Sequence, residues 1–402
     1  MAAFPRMDFL LELLRQPTAP YREAHVVAVV SDALARAGVP FFADPVGNLV
    51  IGVEDRRAYG ELVNGAGVDP VRLFIAHMDH PGFHGMHWTR ASRLRIRWHG
   101  GSPTRHLAGA PVWLADASGE VAAGALTNVK LGTARRAMDS AEVRFTAADL
   151  ARVRRLSARS LYGGLAFRAP VWRAGKRLYT KAADDLVGVF CICATAMELY
   201  GKRRPGPRPP FIGLLTRAEE VGFIGAIGHL ELGWLSRARR PVVCVSLEAS
   251  RTLPGAAVGK GPVVRLGDRR TVFDADALQV LSEVAARLLP GGHQRRVMEG
   301  GVCEATAATV YGLPSIGLCV PLGNYHNEGF EGGPDCRRPR GPAPEFVHLD
   351  DIHGQWRLCR GLMKAGLPWG APWRSQRREL RRRLRDARPL LEPAAPARRS
   401  KR

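Results

Sequence analysis

Apolar residues recur with helical spacing over residues 7–38, interrupted by the PTAP turn at 17–20, so the chain opens in helix. GNLVIGV at 47–53 reads as a strand. VRLFIAHMD at 71–79 reads as a buried one: β-branched and apolar, then polar at its C-terminal end. From about 89 to 176 the period changes. Short alternating segments such as RLRIRWHG and APVWRAGKRLYT, separated by Gly, Ser and Asn, predict a small β-barrel or sandwich. Beyond it the pattern alternates again: helix at 184–200, strand at 211–218, a helix after EEVGFIGA, strand at 241–249, helix at 274–289 and strand at 315–321. A Gly/Pro-rich loop fills 328–344, and FVHLDDIHGQWRLCRGLMK closes the pattern with a strand turn and a final helix. The alternation predicts an α/β fold, a mostly parallel sheet covered by helices on both faces. Residues 1–88 and 177–370 then form the α/β domain and 89–176 a β domain inserted into it. Past about 370 the chain is rich in Arg, Pro and Ala, so 371–402 is expected to be a disordered basic tail in which RRELRRRLRD could form a short helix.

The formal net charge of +22 resembles that of a nucleic-acid binder, but its distribution tempers that reading. Residues 374–402 carry 12 Arg or Lys against 3 acids, which leaves +13 for everything before them. Arginine outnumbers lysine 52 to 7, a bias that with abundant Ala, Gly and Pro reads as GC-rich coding. The tail remains a candidate contact for RNA, DNA or anionic lipid, secondary to the main function, and no membrane is expected among the partners. No stretch reaches 18 apolar residues, so no transmembrane helix is expected. The N-terminal MAAFPRMDFLLELLRQP carries acids and lacks a small-residue cleavage site, which points to the cytoplasm. Seven cysteines, odd in number and mostly inside apolar strings, read as buried reduced thiols.

Acids and imidazoles stand at the ends of several apolar runs: His77, Asp184, Glu219, Glu220, Glu248 and His326. In an open α/β sheet, ligands bind at the carboxyl ends of the strands, and His77, Glu219, Glu220 and Glu248 all fall there. In HMD, His77 is suited to bind metal while Asp79, two residues on, orients the ring. The adjacent acids Asp184-Asp185 and Glu219-Glu220 also suit helix first turns. Yet two neighbouring carboxylates point apart, which fits one ligand and one base. Glu248 ends a very apolar strand, where an unpaired carboxylate is expensive. His80, His84 and His87 crowd the same region and read as neighbours of the pocket. Such a donor set supports hydrolysis: two divalent ions acidify a water and polarise a carbonyl, and a free carboxylate moves the proton.

These residues resemble the M42 family of metallo-aminopeptidases, within the wider clan that includes M20 and M28. AHMDHPGF is similar to the family's HMDEIGF, KAADDLVGV to KALDDRVG, TRAEEVGFIGA to QEEVGLRGA, GKGPVV to GxGP, and HLDDI to DLDD. The resemblance covers roughly residues 8–367, and the insertion matches the family's inserted β domain in position and size. It implies one metal on His77, Asp184 and Glu248, a second on Asp184, Glu220 and His326, and Glu219 as general base. That Asp184 bridges, and not Asp185, rests on the resemblance alone. It also implies a homo-oligomer built through the inserted β domain.

Two departures bear on the substrate. The family usually carries Asp where Glu248 stands, and its GGTDA is GGVCEA here, with Glu304 in place of the acid. The expected function is therefore a dinuclear metallo-aminopeptidase of short peptides, its ions Zn²⁺ or alternatively Co²⁺ or Mn²⁺. The alternative is a deacylase or carboxypeptidase-type amidohydrolase on the same frame, suggested by Glu248. A third reading, from another class, is a binding protein acting through the basic tail.

Overall fold

The computed structural model describes residues 4–67, 69–90, 92–134, 137–201 and 208–391. An eight-stranded sheet forms the body. Its order is Phe41–Ala43, Leu49–Ile51, Phe211–Thr216, Val71–His77, Val242–Arg251, Ser315–Leu322, Val263–Asp268 and Gln294–Met298. The four strands from Phe211–Thr216 to Ser315–Leu322 run parallel, and the sheet turns antiparallel on either side of them. Within Val71–His77 the alternation of side chains divides the core. Phe74 and Ala76 join one apolar cluster, while Leu73 and Ile75 join the other.

Helices cover both faces. Helix Leu186–Tyr200 is apolar on every side because it lies between the sheet and the helices Met7–Arg15 and Leu349–Leu362. The second face is covered by Arg56–Asn64, Ile224–Glu231 and Glu304–Val310. The predicted α/β architecture, with its largely parallel sheet and a closed barrel, is the one observed.

Six antiparallel strands close that barrel: Gly82–Trp88, Leu94–His99, Met138–Arg144, Gly119–Leu131, Pro111–Asp116 and Tyr162–Leu165. Its first strand, GFHGMHW, begins ahead of residue 89. The two histidines and two glycines among its polar and apolar positions hide the alternation. Hairpin Val171–Thr180, expected within the insertion, pairs instead with Glu345–His348 in a separate three-stranded sheet.

The expectation of a disordered tail is corrected over Arg374–Leu391, which form an 18-residue helix. Leucines and an alanine three and four residues apart make a helical period there that the arginine-rich composition obscures. Residues 392–402 of that expected tail lie outside the described residues. No described helix is long and apolar enough to cross a membrane.

Candidate active site

At the carboxyl edge of the parallel strands, four segments bring their polar ends together. His77 ends Val71–His77, and Glu219 and Glu220 follow Phe211–Thr216. Glu248 lies late in Val242–Arg251, and His326 sits in the short turn after Ser315–Leu322. Asp184 enters from the segment ahead of helix Leu186–Tyr200.

Asp184 lies between two imidazoles. Its Oδ1 is 3.6 Å from His77 Nε2 and its Oδ2 is 3.6 Å from His326 Nε2. His326 Nε2 is also 3.2 Å from Glu220 Oε1, and His77 Nε2 is 3.9 Å from Glu219 Oε2. One donor atom each from His77, Asp184 and Glu220 lies within 4.8 Å of the others. Asp185, across a cis peptide bond from Asp184, turns away and accepts the Gly188 N–H at 3.2 Å, capping the helix. The structure thus separates the two acids that the sequence left equivalent.

Asp79 does not orient the His77 ring through its carboxylate, as the sequence reading expected. The ring's Nδ1 is 3.0 Å from the backbone carbonyl of Asp79 and 3.8 Å from its Oδ1. A proton on Nδ1 donated to that carbonyl leaves the Nε2 lone pair facing Asp184. The Asp79 carboxylate instead accepts the backbone N–H groups of Glu219 (2.9 Å) and Glu220 (3.1 Å), fixing the turn that presents both glutamates.

Two residues that sequence reading missed organise the rest. Glu345, fully buried, accepts the N–H groups of Ala183 (2.7 Å), Asp184 (3.3 Å) and His326 (2.9 Å). His326 has φ 55°, a left-handed conformation that L-residues seldom adopt, and the bond to Glu345 holds it there. Arg265, also buried, brings Nη1 to 3.9 Å from Glu248 Oε2. Its signal was legible, since an arginine inside the apolar strand VVRLGD demands a buried partner. Glu345 gave no such signal, because its partners lie about 20 and 160 residues away.

His80 lies behind the site, with Nδ1 3.0 Å from the Asp184 carbonyl and Nε2 3.3 Å from Asn327 Oδ1. His84 turns toward the Pro20 carbonyl and His99, and His87 is exposed. Glu304 begins its short helix and accepts the Thr216 hydroxyl.

The acids repel one another. Burial raises Glu219 well above the ordinary carboxyl range, and Glu248, Glu220 and Glu304 reinforce it. Burial likewise lifts Glu248 to about 8, Asp79 to about 7 and Glu304 to about 7. Burial alone would lower the imidazoles. Glu219 and Asp184 nevertheless drive His77 well up, and Glu220 and Asp184 bring His326 to about 10. Asp184 is lowered despite its burial, because the His326 and His77 imidazoles, each 3.6 Å from one of its oxygens, favour its charged form.

Several buried donor atoms at the cluster have no hydrogen-bond partner among the described residues: Asp184 Oδ1, Glu220 Oε1, Glu248 Oε1 and His326 Nε2. Unpaired buried polar atoms are costly. An imidazole–carboxylate set of this kind, with excess negative charge, fits a divalent cation such as zinc.

The family model of the M42 glutamyl aminopeptidases matches residues 62–329. A search of curated proteins finds no match. Among solved structures, the chain is similar to the TET1 peptidase of Pyrococcus horikoshii, which can assemble into a tetrahedron or a large octahedral shell (TM-score 0.67, 20% identity, 89% of this chain and 99% of that one). It is also similar to a TET aminopeptidase from a marine-sediment thaumarchaeote (0.67, 20%, 90% and 97%) and an aminopeptidase of Desulfurococcus kamchatkensis (0.68, 18%, 90% and 96%). At such identities the structural likeness speaks for the fold. The family match extends over more than half of the chain, and the protein therefore belongs to the M42 glutamyl aminopeptidase family, a metal-dependent peptide hydrolase of the aminopeptidase class.

Proposed function

We propose that the protein removes residues from the free amino termini of short peptides with two divalent ions bound, Zn²⁺ or alternatively Co²⁺ or Mn²⁺. His77, Asp184 and Glu248 would hold one ion, and Asp184, Glu220 and His326 the other. The observation that carries this reading is Asp184, whose two oxygens face two different imidazoles. When bound, the ions supply an acidified water and a polarised carbonyl.

The chain's own residues do the rest. Glu219, not needed as a ligand, takes the proton from the attacking water and delivers it to the leaving amine. Asp79 holds Glu219 and Glu220 in place through their N–H groups. Glu345 holds the backbone of Asp184 and His326.

A homo-oligomer through the barrel is part of the same proposal, supported by the shell-forming TET1 peptidase to which the fold is similar. So is the cytoplasm, which suits seven free thiols, six of them buried. A second reading, a deacylase, is favoured by one observation. Glu248 stands where the resembled family has Asp, and its Oε2 lies within 3.9 Å of the buried Arg265.

The test is hydrolysis of matched free and N-acetylated peptides by metal-loaded protein, with product masses read out. Sequential loss of N-terminal residues from the free set alone is expected; cleavage of the acetylated set alone would replace the aminopeptidase with the deacylase. Glu219→Gln should keep its metal and lose about 10²–10⁴-fold in rate. Asp184→Asn should lose metal and hydrolysis together, and retention of both would remove the bridging role.

A further inference from the structure

We propose that the C-terminal helix Arg374–Leu391 is a docking surface for an anionic lipid bilayer. Its first turn is fastened to the body. Trp373 Nε1 donates to Asp276 (2.6 Å), and Ser375 Oγ and Gln376 Nε2 donate to Glu283 (2.8 and 3.2 Å) on helix Ala275–Leu288. No residue of the C-terminal helix is buried.

Leu380, Leu384, Ala387 and Leu391 are spaced four, three and four residues apart, so they form one stripe along the helix. The three leucines are 61%, 57% and 69% exposed. The remaining positions carry eight arginines against two acids, together with Ser375, Gln376, Pro389 and Leu390. Among the described residues only Arg383 of these has an acidic partner, Glu379.

Three kinds of occupant differ in how they would meet these two faces. A second copy pairing through the leucine stripe would place Arg381, Arg383 and Arg388 beside the seam of both helices, where like charges repel. A nucleic acid would use the arginines and leave the leucines in water. A bilayer with anionic headgroups uses both faces, the leucines entering the acyl boundary and the arginines meeting the phosphates. The proposal departs from the expectation that no membrane is among the partners. That expectation rested on the lack of a spanning segment, and an interfacial helix needs none.

The test is sedimentation of the full-length protein with vesicles of phosphatidylcholine alone and of phosphatidylcholine with one third phosphatidylglycerol, in 0.15 M salt. Binding to the anionic vesicles should be stronger by about tenfold or more. A variant with Leu380, Leu384 and Leu391 all changed to Gln keeps every charge and should lose most of that binding with an unchanged melting temperature. A variant with Arg378, Arg382 and Arg385 changed to Gln should lose the preference for anionic vesicles. Wild-type binding by the leucine variant would overturn the proposal. So would failure of the native protein to bind anionic vesicles, whether it then binds duplex RNA or self-associates through the stripe.

Discussion

Glu345 shows how much of this site depends on a side chain that never faces substrate. One of its oxygens accepts the N–H groups of Ala183 and Asp184, and the other accepts that of His326. The carboxylate thereby sets the backbone of two of the proposed ligands at once. Gln in its place offers one oxygen and turns an NH₂ group toward an N–H donor, leaving at least one buried amide unpaired. That costs about 1–3 kcal/mol. The loss should fall on turnover more than on substrate binding, since groups that orient metal ligands are worth about 10–100-fold in activity. Steady-state kinetics and metal content of Glu345→Gln check this. A kcat close to wild type, with full metal content, would show that His326 and Asp184 hold their positions without it.

Among the elements, the small hairpin Phe41–Ile51 and the helix Ile224–Glu231 are locked by one acid. Asp44 accepts the N–H groups of Val46 (2.9 Å) and Asn48 (3.0 Å), and its Oδ2 is 2.8 Å from both Asn48 Nδ2 and His229 Nδ1. Burial would raise Asp44, but the bonds from His229 and Asn48 outweigh it and hold the carboxyl below its usual 3.8. Its contribution to stability is therefore present above about pH 4 and lost as pH falls through the lower folded value. Asp44→Asn should cost about 1–3 kcal/mol at pH 7. Urea midpoints of variant and wild type should draw together below pH 4; a constant gap at every pH would mean that charge plays no part. Elements of this kind mark how far the sequence could be read. The parallel strands and the acids at their ends were legible because burial writes a continuous apolar run and chemistry interrupts it. Arg265, inside such a run, was legible and passed over. Asp79's true partners and Glu345's role were not legible, since each depends on segments that meet only in the folded chain. The C-terminal helix was read only as a possible short one over RRELRRRLRD, because the arginine-rich composition hides the three-and-four spacing that carries it on to Leu391.

Across the whole molecule the barrel does more than sit beside the body, because one of its loops walls the site. Gly100 and Gly101 follow the strand Leu94–His99, and the Gly101 carbonyl is pinned by Trp98 Nε1 at 2.9 Å. A Cβ on Gly101 would fall 2.0 Å from His326 Nδ1, and one on Gly100 3.3 Å from the Glu220 Cβ. The barrel grips the same region from another side. Lys181, three residues ahead of Asp184, pairs with Glu120 of the barrel and lies 4.3 Å from the Trp113 ring. The His326 ring cannot retreat easily, since it stacks on Tyr325 at 3.7 Å and its Nε2 faces Asp184 and Glu220. Gly101→Ala must therefore displace either the imidazole or the loop. A shift of about 1 Å in a group that positions the reaction costs on the order of 10²-fold in rate, so kcat should fall by about that factor. The melting temperature should change little, because the alanine sits at a partly exposed loop and not in a core. Should the barrel serve assembly alone, Gly101→Ala would leave hydrolysis untouched, and kinetics of a variant whose particle size matches wild type would reveal it.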